Sequence, residues 1–343
     1  MAILGIIVNP MSGRDVRRVA ARASLSNHHD KQLLVTRIVL GALAHGTTRV
    51  LLIDDPFRIA RGAVENLPEY DRVTLIPLTP THSDADSETA LQIMLSQGAR
   101  TFVVLGGDGT SRIVARSSAD INLLPLSTGT NNVFPFRSEA SVAGAAAGLV
   151  SSGRISSDRC RPCKIIDIQS GSHHDIALID VVHLVNDEMG SLLPFTAHNL
   201  KQLFVTRAEP DGIGISPVAG FVTPCGSDDE FGVWLELKAP GTPDRASDLL
   251  IHAPLSPGLY EPLTIRHSKS IAVDHSLSFE GPGILAMDGD RRIELAPGEA
   301  AKLTLRRCGP RVISPTAVMS AAASQGLLAS VPTDTIDHPT SSS

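Results

Sequence analysis

The sequence predicts an α/β N-terminal domain with a parallel sheet, followed by a C-terminal domain of mainly antiparallel strands. Up to residue 152, buried strands alternate with helices, which is typical of a parallel sheet with helices on both faces. After residue 152, short strands follow one another, and turn signals such as Pro240-Gly241 and Pro297-Gly298 separate them. We therefore predict domains at 1–152 and 153–310, a helix in 311–328 that returns to the first domain, and a disordered tail at 329–343.

The composition is that of a soluble protein of two domains, and it argues against some classes of partner. The 343 residues are 42% apolar but only 3% aromatic, so the cores are expected to consist of Leu, Ile, Val and Ala. A formal net charge of -6 and the lack of a basic block argue against nucleic acid or an anionic membrane as partner. No apolar run approaches the roughly 18 residues of a membrane span. No basic segment precedes the first apolar run, so we expect a cytoplasmic protein without a signal peptide.

The first domain is predicted element by element from apolar runs and their boundaries. Ile3–Val8 is almost wholly apolar and indicates a strand that is buried on both faces. Gly46 and Gly98 end two helices, and Pro56 opens another. The remaining strands are predicted at 49–53, 72–78, 101–105 and 122–126, and the helices at 14–23, 33–44, 56–66, 87–97 and 139–150.

The second domain is predicted from shorter runs in which apolar and polar residues often alternate, as in Lys302 to Arg306. One helix is expected near 197–206. The strands are predicted at 164–169, 175–185, 231–238, 249–253, 263–267, 270–273, 283–287, 291–295 and 302–307.

The chain is organised around the apolar strand at 101–105 and the turn Gly106-Gly107-Asp108-Gly109-Thr110 that follows it. The glycines stop the strand and open a helix, whose first N–H groups can hold a phosphate. Without side chains, they let the phosphate approach the main chain closely. A carboxylate such as Asp108 beside phosphates must bind a cation or accept a proton from a nucleophile. The turn therefore indicates phosphoryl transfer, with a tight turn and a helix-capping Asp as the plainer interpretation.

Two more polar loops follow strands of the same sheet, at Asn9 to Gly13 and Ser127 to Asn132. Such loops emerge at one edge of a parallel sheet, where ligands bind. Neither a Gly-x-Gly-x-x-Gly run nor a Gly-x-x-x-x-Gly-Lys-[Ser/Thr] run occurs. The predicted phosphate site is therefore neither a standard Rossmann fingerprint nor a Walker A loop.

These motifs resemble the superfamily of NAD kinases, diacylglycerol kinases and sphingosine kinases. The match includes Leu105 to Thr110, Asn9-Pro-x-Ser-Gly13 and Gly129-Thr-Asn-Asn132. Val185-Asn-Asp187 and Gly281 to Gly289 extend it, and within the superfamily the chain is most similar to the ATP-NAD kinase-like proteins of acetoin-catabolism operons. The resemblance covers roughly residues 3 to 328. It implies an NAD kinase-like fold with a nucleotide site between two domains.

The resemblance also implies roles for individual residues. Asp108 would be the catalytic carboxylate at the transfer site, acting as a base or through Mg²⁺. Asp290 stands where the lipid-kinase relatives have Glu. Residues that would contact the nucleotides are Asn9, Ser12, Gly13, Gly106, Gly107, Gly109, Thr110, Gly129, Thr130, Asn131, Asn132, Asn186, Asp187 and Asp288.

The function predicted in this way is ATP-dependent phosphorylation, with Mg²⁺, of NAD or a related hydroxyl compound in acetoin catabolism. Two alternatives remain open: a non-catalytic sensor of NAD or ATP, and a lipid kinase of the diacylglycerol type. A homo-oligomer is possible. The pair Cys160 and Cys163 has the spacing of redox or zinc pairs, but no second pair lies nearby, so we expect incidental thiols.

Overall fold

The computed structural model describes residues 1–12, 27–128, 132–191 and 193–329. The helix predicted at 14–23 and nearly all of the predicted tail lie outside these ranges. The N-terminal region alternates strands and helices as predicted. Its strands are β1 (Ile3–Val8), β2 (Arg49–Asp54), β3 (Val73–Pro77), β4 (Thr101–Gly106) and β5 (Asn122–Ser127), and its helices are α1 (His28–Ala44), α2 (Ile59–Val64), α3 (Asp84–Ser96), α4 (Asp108–Ser117) and α5 (Ala140–Ser151).

The rest of the chain is mainly β, with a short helix α6 (Ser216–Gly220) and a last helix α7 (Pro315–Ser324). The strands are β6 (Ile165–Ser170), β7 (His173–Ala177), β8 (Asp180–Leu184), β9 (Leu200–Val205), β10 (Phe231–Leu237), β11 (Leu249–Ser256), β12 (Leu259–Ala272), β13 (Ser276–Glu280), β14 (Gly283–Met287), β15 (Asp290–Leu295), β16 (Ala300–Arg306) and β17 (Arg311–Val312).

The first sheet has the strand order β17-β5-β4-β1-β2-β3, and its described pairs are all parallel. One face packs against α1, α2, α5 and α7, and the other against α3 and α4. Helices α1 and α5 approach closely because α5 carries glycines: a methyl group at Gly144 or Gly148 would overlap the carbonyl of Ile38 or Ala42. This parallel, two-faced sheet confirms the predicted α/β fold of the N-terminal region.

The second half of the chain forms two antiparallel sheets. One has the order β11-β12-β10-β9-β8-β14-β15, and the other β13-β16-β6-β7. Apolar side chains from both sheets, among them Phe204, Phe279 and Leu303, form a shared buried cluster. The prediction of a mainly antiparallel C-terminal region is therefore confirmed.

Some predicted elements are wrong in detail. The helix expected near 197–206 is strand β9, which lies between β8 and β10 and so pairs on both sides. The single strand predicted at 175–185 is two strands, β7 and β8, whereas the separate strands at 263–267 and 270–273 are parts of the long β12.

The β region covers part of the first sheet. Ile165, Ile176, Leu178 and Ile179 share a buried cluster with side chains of α3 and α4. As a result, the start of β8 lies over α4, beside the edge where β1, β4 and β5 end.

Candidate functional site

The site is a cleft of about 330 Å³ between the carboxyl edge of the first sheet and the β region. From the first side come the ends of β1, β4 and β5 and the start of α4; from the other come β8, the β14–β15 turn and two loops. Its lining includes Asn9, Ser12, Gly107, Asp108, Gly109, Thr110, Thr128, Asn132, Asp180, Leu193, Pro194, Phe195, Gly214, Ser256, Asp288, Gly289 and Asp290.

Hydrogen bonds join the three strand-end loops that the sequence analysis singled out. Asn9 Nδ2 donates to Thr110 Oγ1 at 2.9 Å, and the hydroxyls of Ser12 and Thr128 lie 2.8 Å apart. Asn132 Nδ2 donates to Ser127 Oγ at 3.0 Å. The structure thus brings the described parts of the three loops together, and Gly13, Gly129, Thr130 and Asn131 lie outside the described residues.

A buried lysine holds the first loop. Lys31 in α1 has no exposed surface, and its ammonium group donates to the carbonyls of Asn9 (3.0 Å), Pro10 (2.7 Å) and Ser12 (2.7 Å). A buried ammonium group needs such acceptors. Lys31 therefore ties the loop after β1 to a helix of the core.

Asp108 stands at the start of α4 and faces the cleft. Its carboxylate accepts N–H bonds from Phe134 at 2.8 Å and from Val133 at 3.1 and 3.2 Å. The glycine turn after β4 is therefore fastened to the loop after β5.

Asp288 lies on the opposite wall of the cleft, in the turn between β14 and β15. Asp288 has a φ of 49°, a left-handed backbone conformation that Asp tolerates better than most residues. Its carboxylate accepts N–H bonds from Leu178 (2.9 Å), Ile179 (2.8 Å) and Asp180 (3.2 Å). Burial raises the pKa of Asp288 to about 7, although the positive charge of Arg112 opposes this rise.

Arg112 is the charged centre behind the cleft. It lies one helical turn after Asp108, its side chain has no exposed surface, and it ion-pairs with Asp175 (3.2 Å), Asp290 (3.2 Å) and Asp288 (3.8 Å). These three acids lie on the β7 strand and around the β14–β15 turn. Arg112 therefore locks α4 to the β region.

Asp180 is a buried acid in the cleft that sequence reasoning missed, as it also missed Asp84. It is the first residue of β8 and only 7% exposed, and its Oδ1 has no hydrogen-bond partner among the described residues. Burial, together with the negative charges of Asp288 and Asp108, raises the pKa of Asp180 well above its ordinary value. An acid in an otherwise apolar run was the only signal available from the sequence.

Asn186 and Asp187 do not line the cleft in the part of the chain that the structure describes. The Asp187 carboxylate instead forms a two-point ion pair with Arg291, at 2.9 Å for both bonds. Arg291 also donates to the carbonyl of Leu193 at 3.1 Å and lies 4.8 Å from the centre of the Phe195 ring. Asp187 thereby supports a loop that does line the cleft. Gly106, the last residue of β4, comes directly before the lining residues Gly107 and Asp108 and is not itself part of the described lining of the cleft.

A second cavity of about 240 Å³ adjoins the cleft at the ends of β1, β2 and β3, and its lining shares Asn9, Asp84 and Ile113 with the cleft. Most of its lining is apolar, with Val8, Phe57 and Leu78 among the side chains. Separately, none of the described helices is both long and apolar enough to span a bilayer.

Three solved structures align with this chain. Yeast NADH kinase in complex with NADH aligns with a TM-score of 0.49 and 14% identity, over 96% of this chain and 89% of that one. A diacylglycerol kinase from Bacillus anthracis str. Sterne aligns with a TM-score of 0.45 and 14% identity, over 92% and 97%. An NAD kinase from Archaeoglobus fulgidus in complex with ATP aligns with a TM-score of 0.40 and 10% identity, over 82% and 98%.

Sequence comparison is more specific. The family profile of the acetoin catabolism protein X C-terminal domain matches residues 164–308. The acetoin catabolism protein X of Cupriavidus necator is 33% identical over 349 aligned positions, which cover 96% of this chain and 95% of that protein. Identity of this degree over nearly the whole of both chains shows that this protein belongs to the acetoin catabolism protein X family, as its motifs predicted.

Proposed function

We propose that this protein is a cytoplasmic phosphotransferase that transfers the γ-phosphoryl group of ATP to a hydroxyl group of NAD or a related compound. The observation that carries the proposal is the meeting of three joined strand-end loops with several carboxylates in one cleft. The loops suit phosphates, and the carboxylates suit a cation or a proton. The link to acetoin catabolism comes from the name of the relative from Cupriavidus necator.

The start of α4 is the part that would hold the phosphates. The first N–H groups of a helix have no acceptor within the helix and point toward the ligand. Gly107 and Gly109 keep this surface bare: a methyl group at Gly109 would lie 3.1 Å from Asp290 Oδ2, and one at Gly107 would lie 2.9 Å from Asn132 Oδ1. The neighbouring apolar cavity offers room for a flat base.

Mg²⁺ fits this cleft as a companion of the phosphates. The described residues contain no group of three or more His, Cys, Asp or Glu side chains placed to hold a metal ion. Mg²⁺ in nucleotide enzymes commonly uses one or two carboxylates and the substrate phosphates. Asp108, beside the proposed phosphate position, is the carboxylate that would face it. The ion would offset the negative charge of the transferred group.

The direct test is formation of ADP from ATP by the purified protein, with NAD, a diacylglycerol or acetoin as acceptor, each with and without Mg²⁺. We expect turnover with NAD or a related dinucleotide and stabilisation of the fold against heating by ATP. Binding of nucleotide without turnover for any acceptor would contradict the kinase and favour the sensor. Turnover with diacylglycerol alone would favour the lipid kinase.

A variant tests the placement of the phosphates. Gly109→Ala adds a methyl group at the cleft surface without requiring a different backbone conformation. We expect it to weaken ATP binding about tenfold or more, equivalent to about 1.4 kcal/mol. Ser117→Ala, at the other end of α4, is the matched control and is expected to keep the affinity. Equal affinities of the two variants would place the phosphates elsewhere.

A further inference from the structure

Five carboxylates line the cleft, those of Asp84, Asp108, Asp180, Asp288 and Asp290. Asp84 and Asp290 are ion-paired with arginines, and the other three have different surroundings. Asp108 accepts N–H bonds from the loop after β5, and Asp288 accepts three from the segment between β7 and β8. Of the carboxyls that line the cleft, Asp180 is the one with a buried oxygen that has no hydrogen-bond partner among the described residues.

Backbone N–H groups engage the oxygens of the Asp108 and Asp288 carboxylates. The same bonds also fix the two groups in place, because each joins separate segments of the chain. Asp108 and Asp288 are therefore suited to holding the walls of the cleft together.

The charged groups that face Asp180 oppose the ionisation of its carboxyl. Asp108 on α4 and Asp288 after β14 face it with negative charge. Arg112 directs its guanidinium group to Asp175, Asp288 and Asp290. At the rim, Arg292 ion-pairs with Asp84 and Asp290.

Asp180 has no ion pair among the described residues. Its negative charge is therefore not offset by a cation, whereas that of Asp288 is offset by Arg112. Burial and the negative charges of Asp288 and Asp108 raise the pKa of Asp180 well above its ordinary value.

We propose that Asp180 is the general base of the reaction and that Asp108 positions the loops around the phosphates. This inference rests on the proposed phosphotransferase function and names the proton acceptor within it. Asp180 lines the cleft and its carboxyl has hydrogen-bonding capacity that the described residues leave unused, so it would accept a hydrogen bond from the hydroxyl group of the acceptor.

The transfer then balances as follows. The acceptor oxygen forms a bond to the γ-phosphorus of ATP while its proton moves to the Asp180 carboxylate. The bond between the γ-phosphorus and the bridging oxygen breaks, and its electron pair leaves with ADP. The Asp180 carboxylic acid releases the proton to solvent after the products leave. Because Asp180 must be ionised to begin the cycle, kcat is expected to increase with pH until that carboxyl is ionised.

The test compares Asp180→Asn with Asp108→Asn in the full chain, using the acceptor that supports wild-type turnover. An amide has the shape of the neutral carboxyl but cannot accept the proton. We expect Asp180→Asn to lower kcat by about 10²–10⁴-fold, with the KM for ATP nearly unchanged, and to abolish the rise of kcat with pH. Asp108→Asn is expected to raise the KM for ATP and to keep the rise with pH.

Two further measurements guard against misfolding as the cause. Asp180→Ala leaves space at the cleft wall, so added formate is expected to restore part of its kcat without stimulating the wild type or Asp180→Asn. Asp175→Asn removes another partner of Arg112 outside the cleft lining, and its kcat is expected to keep the same pH dependence.

The failures of the two proposals can be told apart. If the wild type turns over but Asp180→Asn keeps its kcat within about threefold, the function stands and Asp180 is not the base. Loss of the pH dependence in Asp108→Asn alone would return the role to Asp108. Absence of wild-type turnover with every acceptor would overturn both proposals.

Discussion

Replacing Arg112 with Met should reveal how strongly the buried ion pairs hold α4 to the β region. Arg112 has no exposed surface and pairs with Asp175, Asp288 and Asp290. Removing one partner of a buried ion pair typically costs about 3–5 kcal/mol, because the remaining charge stays buried without compensation. We expect the free energy of unfolding at pH 8 to fall by this amount.

The loss should be smaller at pH 5.5, and the reason is the pKa of Asp288. Its value of about 7 in the folded protein exceeds the ordinary 3.8, so the folded state binds this proton more tightly than the unfolded state. The contribution of Asp288 to stability is therefore greatest in acid and declines as the pH rises from about 4 to about 7. Without Arg112 the pKa rises further, and the decline extends to higher pH. Because pH 8 lies only about one unit above the wild-type pKa of Asp288, this effect adds at most about 1.4 kcal/mol to the difference between variant and wild type at pH 8.

The assay is urea unfolding of both proteins at pH 5.5 and pH 8. Arg116→Met on the same helix is the matched control. Arg116 is 34% exposed and pairs with Glu88 and Asp175, and a pair of this kind contributes only about 0–1 kcal/mol. A loss for Arg112→Met no larger than that for Arg116→Met, or one equal at the two pH values, would refute the reasoning.

Three further predictions concern the supports of the cleft. Lys31→Met removes the donor to three carbonyls of the first loop and should weaken ATP binding about tenfold or more, measured by titration calorimetry. We expect similar losses of ATP affinity for Asp187→Asn and for Arg291→Met. The double variant should bind ATP no more weakly than either single variant, because the two side chains act together as one ion pair. Burial raises the pKa of Cys163 to about 12, so that thiol stays protonated. Changing Cys160 and Cys163 to Ala should lower the free energy of unfolding in urea by about 1–2 kcal/mol. Metal analysis of the wild type should find no stoichiometric zinc.

Much of the N-terminal region could be predicted because its signals are local. Apolar runs such as Thr101–Gly106 identify buried strands wherever they lie, and the glycine turn identifies the start of α4. Strand β9 was mistaken for a helix because Leu200–Val205 shows no strict alternation and owes its conformation to pairing with β8 and β10. Tertiary context overrides propensity in such segments.

The site could be predicted only in part for the same reason. Asp108 stands in a recognisable turn, but the role of a carboxyl depends on what surrounds it. Asp180 faces Asp108 and Asp288 only after β8 pairs with β14, which is far away in sequence. The partner of Asp187 is Arg291, about a hundred residues later. No local pattern contains these pairings.

The last strand has a consequence for how the protein is made. Strand β17 pairs with β5 in parallel, Arg311 beside Asn122, and Val318 and Ala322 of α7 join the buried cluster of the first sheet. During translation the part of the β5 edge at Asn122 and Leu123 therefore stays open until β17 has been synthesised. Open strand edges invite pairing with other chains. A fragment that ends near residue 152 is expected to aggregate, whereas a fragment that ends after α7 is expected to fold.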